Sequence, residues 1–169
     1  MDARRFASLA VVATSFAGKE MKDFKPVVEP CFNAGELQLD VFGSYTDAAH
    51  RSSHNDGFGG GLGLNYFFTN HIGIAASGNL YDGDVNGAWN VDGSIVLRLP
   101  IEGSICWAPY IFGGGGIAVN GSLEGTLHAG GGLEWRATHT IGVFGEARYI
   151  WAEEDHSGTQ IRAGLRFVF

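Results

Sequence analysis

From Glu36 onward, apolar and polar residues alternate with a period of two, which is the pattern of β-strands whose faces meet different surroundings. In the first run Leu37, Leu39, Val41 and Tyr45 alternate with Glu36, Gln38, Asp40 and Ser44. In the second, Phe58, Leu62, Leu64, Tyr66 and Phe68 alternate with Gly57, Gly59, Gly61, Gly63 and Asn65. In the last, Ile161, Ala163, Leu165, Phe167 and Phe169 alternate with Gln160, Arg162, Gly164, Arg166 and Val168. The pattern predicts eight strands, over 36–45, 57–68, 71–81, 87–99, 104–117, 122–136, 141–152 and 159–169. Ahead of them, residues 18–35 are charged and carry Pro26 and Pro30, which suit neither a helix nor a central strand.

The connections alternate in length. Those after the second, fourth and sixth strands are tight: Thr69-Asn70, Pro100 to Gly103, and Ala137 to Thr140. Those after the first and seventh are longer and polar: Thr46 to Asp56, and Glu153 to Gly158. Short turns on one side and longer loops on the other fit a transmembrane barrel. The connection near Asn120-Gly121 is short, so the loop side is only partly elaborated. The stretch from Leu64 to Ile74 resembles that from Leu133 to Val143, four strands later. A duplication and two similar turns both account for that repeat.

Composition narrows the class. Hydrophobic residues make up 45% of the 169, yet no apolar run approaches the ~20 residues of a membrane-spanning helix. Glycine is abundant, at 27 residues, and sits inside the alternating segments, as in strands with crowded backbones. The net charge of −7 argues against a nucleic-acid partner. Arg4 and Arg5, then apolar residues from Phe6 to Phe16 and a small-x-small site at Ser15-Phe16-Ala17, have signal-peptide proportions. Residues 1–17 are therefore expected to be a cleaved signal, 18–35 a lead-in, and 36–169 a barrel.

Alternation alone does not say which face is inside, since a soluble barrel alternates too. The polar face settles this. It carries Glu36, Asp40, Asp92, Glu124, Glu134 and Glu146 with Arg98, Arg136, Arg148, Arg162 and Arg166, and no lysine. A solvated surface usually includes lysine, whereas an enclosed ionic network favours the planar fork of arginine. The same face carries runs of glycine, which a narrow interior needs opposite long charged side chains. The tryptophans all fall on the other face, Trp89 and Trp151 near loop ends, Trp107 and Trp135 near turn ends. Two aromatic belts suit two membrane interfaces. The expected fold is all-β: an eight-stranded antiparallel up-and-down transmembrane β-barrel, with the first strand closing on the last because lipid tolerates no open sheet edge.

The terminal run ending in Phe167 and Phe169, with Pro109-Tyr-Ile-Phe-Gly-Gly-Gly-Gly in the fifth strand, resembles the small bacterial outer-membrane barrels of the OmpA/OmpX type. The resemblance covers about 36–169. It implies residence in a Gram-negative outer membrane, contact with its lipid, and a terminal strand read by the barrel assembly machinery. Residues 18–35 then become a short periplasmic segment.

Candidate chemistry lies in two places. Hairpin geometry brings Glu146 near Arg162 and Arg166, closure brings Asp40 to the far side of those arginines, and His128 sits beside Arg148. These residues form an expected lumen network, which in eight strands fills space and so favours a structural or surface-interaction barrel. The alternative is a small porin in which the ion pairs exchange partners to pass ions. The loops supply Asp47, His50, His54 and Asp56, and then Glu153, Glu154, Asp155 and His156. Those types suit zinc, but the spacing lies in a loop and assigns no metal site. Ser52, Ser53, His54 and Asp56, with Asp155, His156 and Ser157, leave a second alternative of a rim enzyme. No cofactor is implied, a monomer is expected, and any extracellular partner is unnamed by the sequence. Cys31 and Cys106 both belong near the periplasmic end, where they form either a disulfide across the barrel mouth or two free thiols.

Overall fold

The structure, a computed structural model, describes residues 30–48, 57–81, 89–103, 105–119, 123–152 and 157–169. The signal and most of the lead-in lie outside the described residues. So do His50, Ser52, Ser53, His54, Asp56, Glu153, Glu154, Asp155 and His156.

Eight strands follow one another: β1 (Glu36–Ala48), β2 (Gly57–Phe67), β3 (Ile72–Tyr81), β4 (Trp89–Arg98), β5 (Cys106–Val119), β6 (Leu123–Arg136), β7 (Ile141–Ala152) and β8 (Gly158–Val168). Each pairs antiparallel with the next, and β1 pairs with β8 to close the barrel. The periodicity places them within a few residues. The first strand runs on to Ala48 and the fifth to Val119, because a barrel strand continues while its neighbour supplies backbone partners. The turn expected at Pro100 to Gly103 is wider: Ile101 and Trp107 form a bridge of their own, which moves the start of β5 to Cys106.

The closing seam is continuous. Leu39 faces Phe167, Asp40 faces Arg166 and Ser44 faces Arg162, while Leu37 and Phe169 exchange backbone hydrogen bonds of 3.2 and 2.9 Å. At one end, the turn end, lie the β2–β3, β4–β5 and β6–β7 connections. The loop end lies opposite. Residues 30–35 fold beneath the turn end, where Gly35 turns the chain into β1 with a φ of 78° and donates its N–H to Phe67 at 2.7 Å.

The faces are inverted relative to a soluble barrel. Leu62, Ile74, Ile95, Ile111, Leu127 and Ile161 are exposed, whereas Asp40, Asp92, Glu134, Glu146, Arg148 and Arg166 are buried. An apolar outer band of this extent belongs in hydrocarbon, and large exposed apolar surfaces are rare on soluble monomers. Trp107 faces Trp135 across β5 and β6 near the turn end, with ring centroids 6.1 Å apart. Near the loop end Tyr149 and Trp151 pack at 5.0 Å and Tyr45 and Phe58 at 5.2 Å, with Trp89 also exposed at the start of β4.

Candidate functional site

The buried polar groups line the lumen, placed there by strand alternation. From the turn end inward they form a chain of alternating charge. Arg98 pairs with Glu36 at 3.3 Å, Glu36 with Arg136, and Arg136 with Glu134. Glu134 then pairs with Arg166 at 2.6 Å. Arg166 holds both oxygens of Asp40, through Nε and Nη2 at 2.7 Å each, and Asn65 donates to the same carboxylate at 2.8 Å. Three arginines thus alternate with three carboxylates. Such pairing is what makes burial of charge tolerable, because each ion keeps hydrogen bonds in place of water.

A second network occupies the loop-side half. Arg162 pairs with Glu146 and donates from Nη1 to Ser77 at 2.9 Å. Ser77 donates to Asp92 at 2.9 Å, and Arg148 donates to the other Asp92 oxygen at 2.9 Å. Arg148 Nε reaches Gln160 at 2.6 Å, and Gln160 donates to Thr46 and Tyr81 at 3.2 and 2.8 Å. The Tyr110 hydroxyl donates to Glu146 at 2.8 Å while the Arg166 guanidinium lies 5.6 Å from its ring centre, so Tyr110 touches both halves.

Aromatic rings fill the space between the charges. Arg162 lies over Phe42 and Arg166 over Phe144, each at 4.7 Å, and Arg98 lies over Phe67 at 3.7 Å. Phe67, Val96, Tyr110 and Phe112 form an apolar cluster on the facing wall. Glycine makes the room: at Gly132 an added Cβ would stand 2.6 Å from the Tyr110 hydroxyl and 2.7 Å from the Glu146 Cβ. A cavity between the two networks measures about 30 Å³, room for a water or two.

The turn-end mouth is stoppered. Cys31 and Cys106 are joined by a disulfide with Cα atoms 6.1 Å apart. Phe32 beside it is fully buried, with Arg98 and Arg136 at 4.8 and 4.7 Å from its ring.

The structure sorts the expected network residues unevenly. Glu146 meets Arg162, and Asp40 meets Arg166. Glu146 does not meet Arg166, whose third nitrogen turns to Glu134; in the register Arg166 stands opposite Gly142, four residues from Glu146 toward the turn end. His128 lies opposite Ile150 rather than Arg148, and its Nε2 is 2.7 Å from Ser94 Oγ and 4.0 Å from Asp92. Arg148 and His128 meet through that shared Asp92. Unforeseen were the aromatic filling by Phe42, Phe67, Phe112 and Phe144, and the stopper Phe32. The first four sit at the parity of the polar face, so strict counting of alternation would have placed them inside. Phe167 is half-buried on the outer face and Phe169 exposed beyond β8.

No family model matches the chain, and no curated protein matches it in sequence. Solved structures do match in fold. The N-terminal β-barrel domain of Pseudomonas aeruginosa OprF superposes with a TM-score of 0.66 at 17% identity, over 81% of this chain and 99% of that one. OprG from Pseudomonas aeruginosa gives 0.60 at 11% identity, over 82% and 97%. Ail, the attachment invasion locus protein of Yersinia pestis, gives 0.53 at 17% identity, over 80% and 99%. At these identities the likeness is one of fold: this chain has the architecture of the small outer-membrane barrels.

Proposed function

We propose that this chain, an eight-stranded barrel of the outer-membrane type, resides in the outer membrane of a Gram-negative bacterium as a structural or surface-interaction protein with a filled lumen. The observation that carries this reading is the filling itself. Charges from Arg98 through to Asp40 are paired in sequence, aromatic rings occupy the gaps, and the cavity between the two networks measures about 30 Å³. Eight strands enclose little more than their own side chains, so the lumen serves as a core. Work at the surface then falls to the loop end.

The outer face supports lipid as its surroundings, through its apolar band and the aromatic residues at both rims. Phe167 near the end of β8 and Phe169 just beyond it are the residues proposed to be read by the assembly machinery. The protein is proposed to act as a monomer and to carry no catalytic group.

A narrow ion path is the second reading. It is favoured by one observation: Asp40, Glu146, Arg162 and Arg166 all line the same cavity, where pairs could exchange. Planar-bilayer recordings on the wild type and Glu146→Ala separate the two. The filled-lumen reading expects flat traces from both. Discrete ion-selective steps that change with Glu146→Ala would replace it with the porin. Recovery in outer-membrane fractions, extraction only by detergent and heat-modifiable gel migration are expected of the membrane assignment, and release by salt alone would overturn it.

A further inference from the structure

The stopper at the turn end is pinned from both sides. Through Gly35 the segment 30–35 runs directly into β1, and through Cys31 it is bonded to Cys106 at the start of β5. In the ring of eight, β1 and β5 stand opposite, so the segment is a strap across the mouth. Phe32 hangs from the strap into the lumen with no exposed surface.

The non-covalent grip on the strap is short. Arg136 donates to the Cys31 carbonyl at 3.1 Å, Asn33 donates its N–H to Glu36 at 3.1 Å, and Gly35 donates to Phe67 at 2.7 Å. Two guanidiniums lie at the ring of Phe32. Against these contacts stands the conformational freedom that the strap regains when one end comes loose. The disulfide removes that option. The barrel, in contrast, is closed by eight strand pairings that owe nothing to it. Both cysteines are only half-buried, whereas Phe32 is hidden, so a reagent at the turn end reaches the latch before the plug.

We propose that Cys31–Cys106 is the latch of a removable plug, and that a dithiol in the compartment at the turn end opens it without unfolding the barrel. A thiolate of the dithiol attacks one sulfur of the bridge and forms a mixed disulfide, releasing the other cysteine as a thiolate. The second thiol of the reagent then displaces the remaining cysteine. The reagent leaves as its own disulfide, and two electrons and two protons end on Cys31 and Cys106. With one end free, the strap swings out, Phe32 leaves the mouth, and Glu36, Arg98 and Arg136 meet water.

Hydrogen exchange read by mass spectrometry tests this on the whole folded protein in lipid nanodiscs, before and after dithiothreitol. Alkylation of both thiols reports complete reduction. Amides of residues 33–35 are expected to exchange at least ~10-fold faster after reduction, with peptides from β4 and β7 unchanged. The Cys31→Ser/Cys106→Ser variant is expected to show the reduced pattern throughout. Retained protection of the strap after full reduction would overturn the latch, as would an oxidised-like pattern in the double variant. Loss of protection across β4 and β7 in step with the strap would make the bridge a staple of the whole fold. Resistance of the bridge to dithiothreitol until the barrel unfolds would overturn its accessibility.

Discussion

Arg166 grips Asp40 with two nitrogens, each 2.7 Å from a carboxylate oxygen, across the seam where β8 meets β1. The pair is in register and buried, and it joins the two ends of the sheet from the inside as Leu37 and Phe169 join them along the backbone. Removing Arg166 takes from buried Asp40 the guanidinium that neutralises it, whereas removing Asp40 leaves Arg166 its pair with Glu134. Arg166→Met should therefore lower the stability of the folded barrel by about 3–5 kcal/mol, read from urea unfolding in lipid vesicles. Asp40→Leu together with Arg166→Met should recover most of that loss, since an apolar pair of similar volume is often neutral. A loss under about 1 kcal/mol for Arg166→Met would show the seam to be held by its backbone bonds alone.

The glycines separate into those that make room and those that do not. At Gly132 a Cβ would press on Tyr110 and Glu146, whereas at Gly145 it would meet nothing within 4 Å. Gly132→Ala should cost about 1–3 kcal/mol through overpacking and should disturb the Tyr110–Glu146 hydrogen bond. Gly145→Ala should change stability by less than about 0.5 kcal/mol. Equal effects in the same unfolding assay would mean that the lumen has slack at Gly132.

Strand positions, facing and closure were legible in the chain because each rests on a local rule. Period two sets the faces, and arginine with glycine on one face against tryptophan on the other says which is wet. Partner choice inside the lumen was less legible. A long arginine reaches several strands, so Arg166 takes Glu134 from β6 rather than the Glu146 that lies across the nearer hairpin. The strap was least legible. Residues 30–35 have no periodicity, and neither the disulfide nor the burial of Phe32 follows from spacing when free thiols satisfy the same sequence.

Charge on the outer band should be costly by depth. Ile95 lies within β4 and is exposed to the surroundings, as is Leu123 at the loop end of β6. Ile95→Arg should destabilise the vesicle-folded barrel by about 2–4 kcal/mol, and Leu123→Arg by about 0–1 kcal/mol. On a soluble barrel both substitutions would be nearly neutral and alike.

A nitroxide scan along β4 tests the central claim, an apolar face in lipid around a charged lumen. With the Cys31–Cys106 disulfide kept in place, each position from Val91→Cys to Leu97→Cys is labelled and the protein is reconstituted in bilayers. Positions 91, 93, 95 and 97 should show high collision rates with oxygen, which concentrates in hydrocarbon, and low rates with an aqueous nickel chelate. Positions 92, 94 and 96 should be shielded from both. High nickel-chelate accessibility at 91, 93, 95 and 97, or a profile without alternation, would contradict the account.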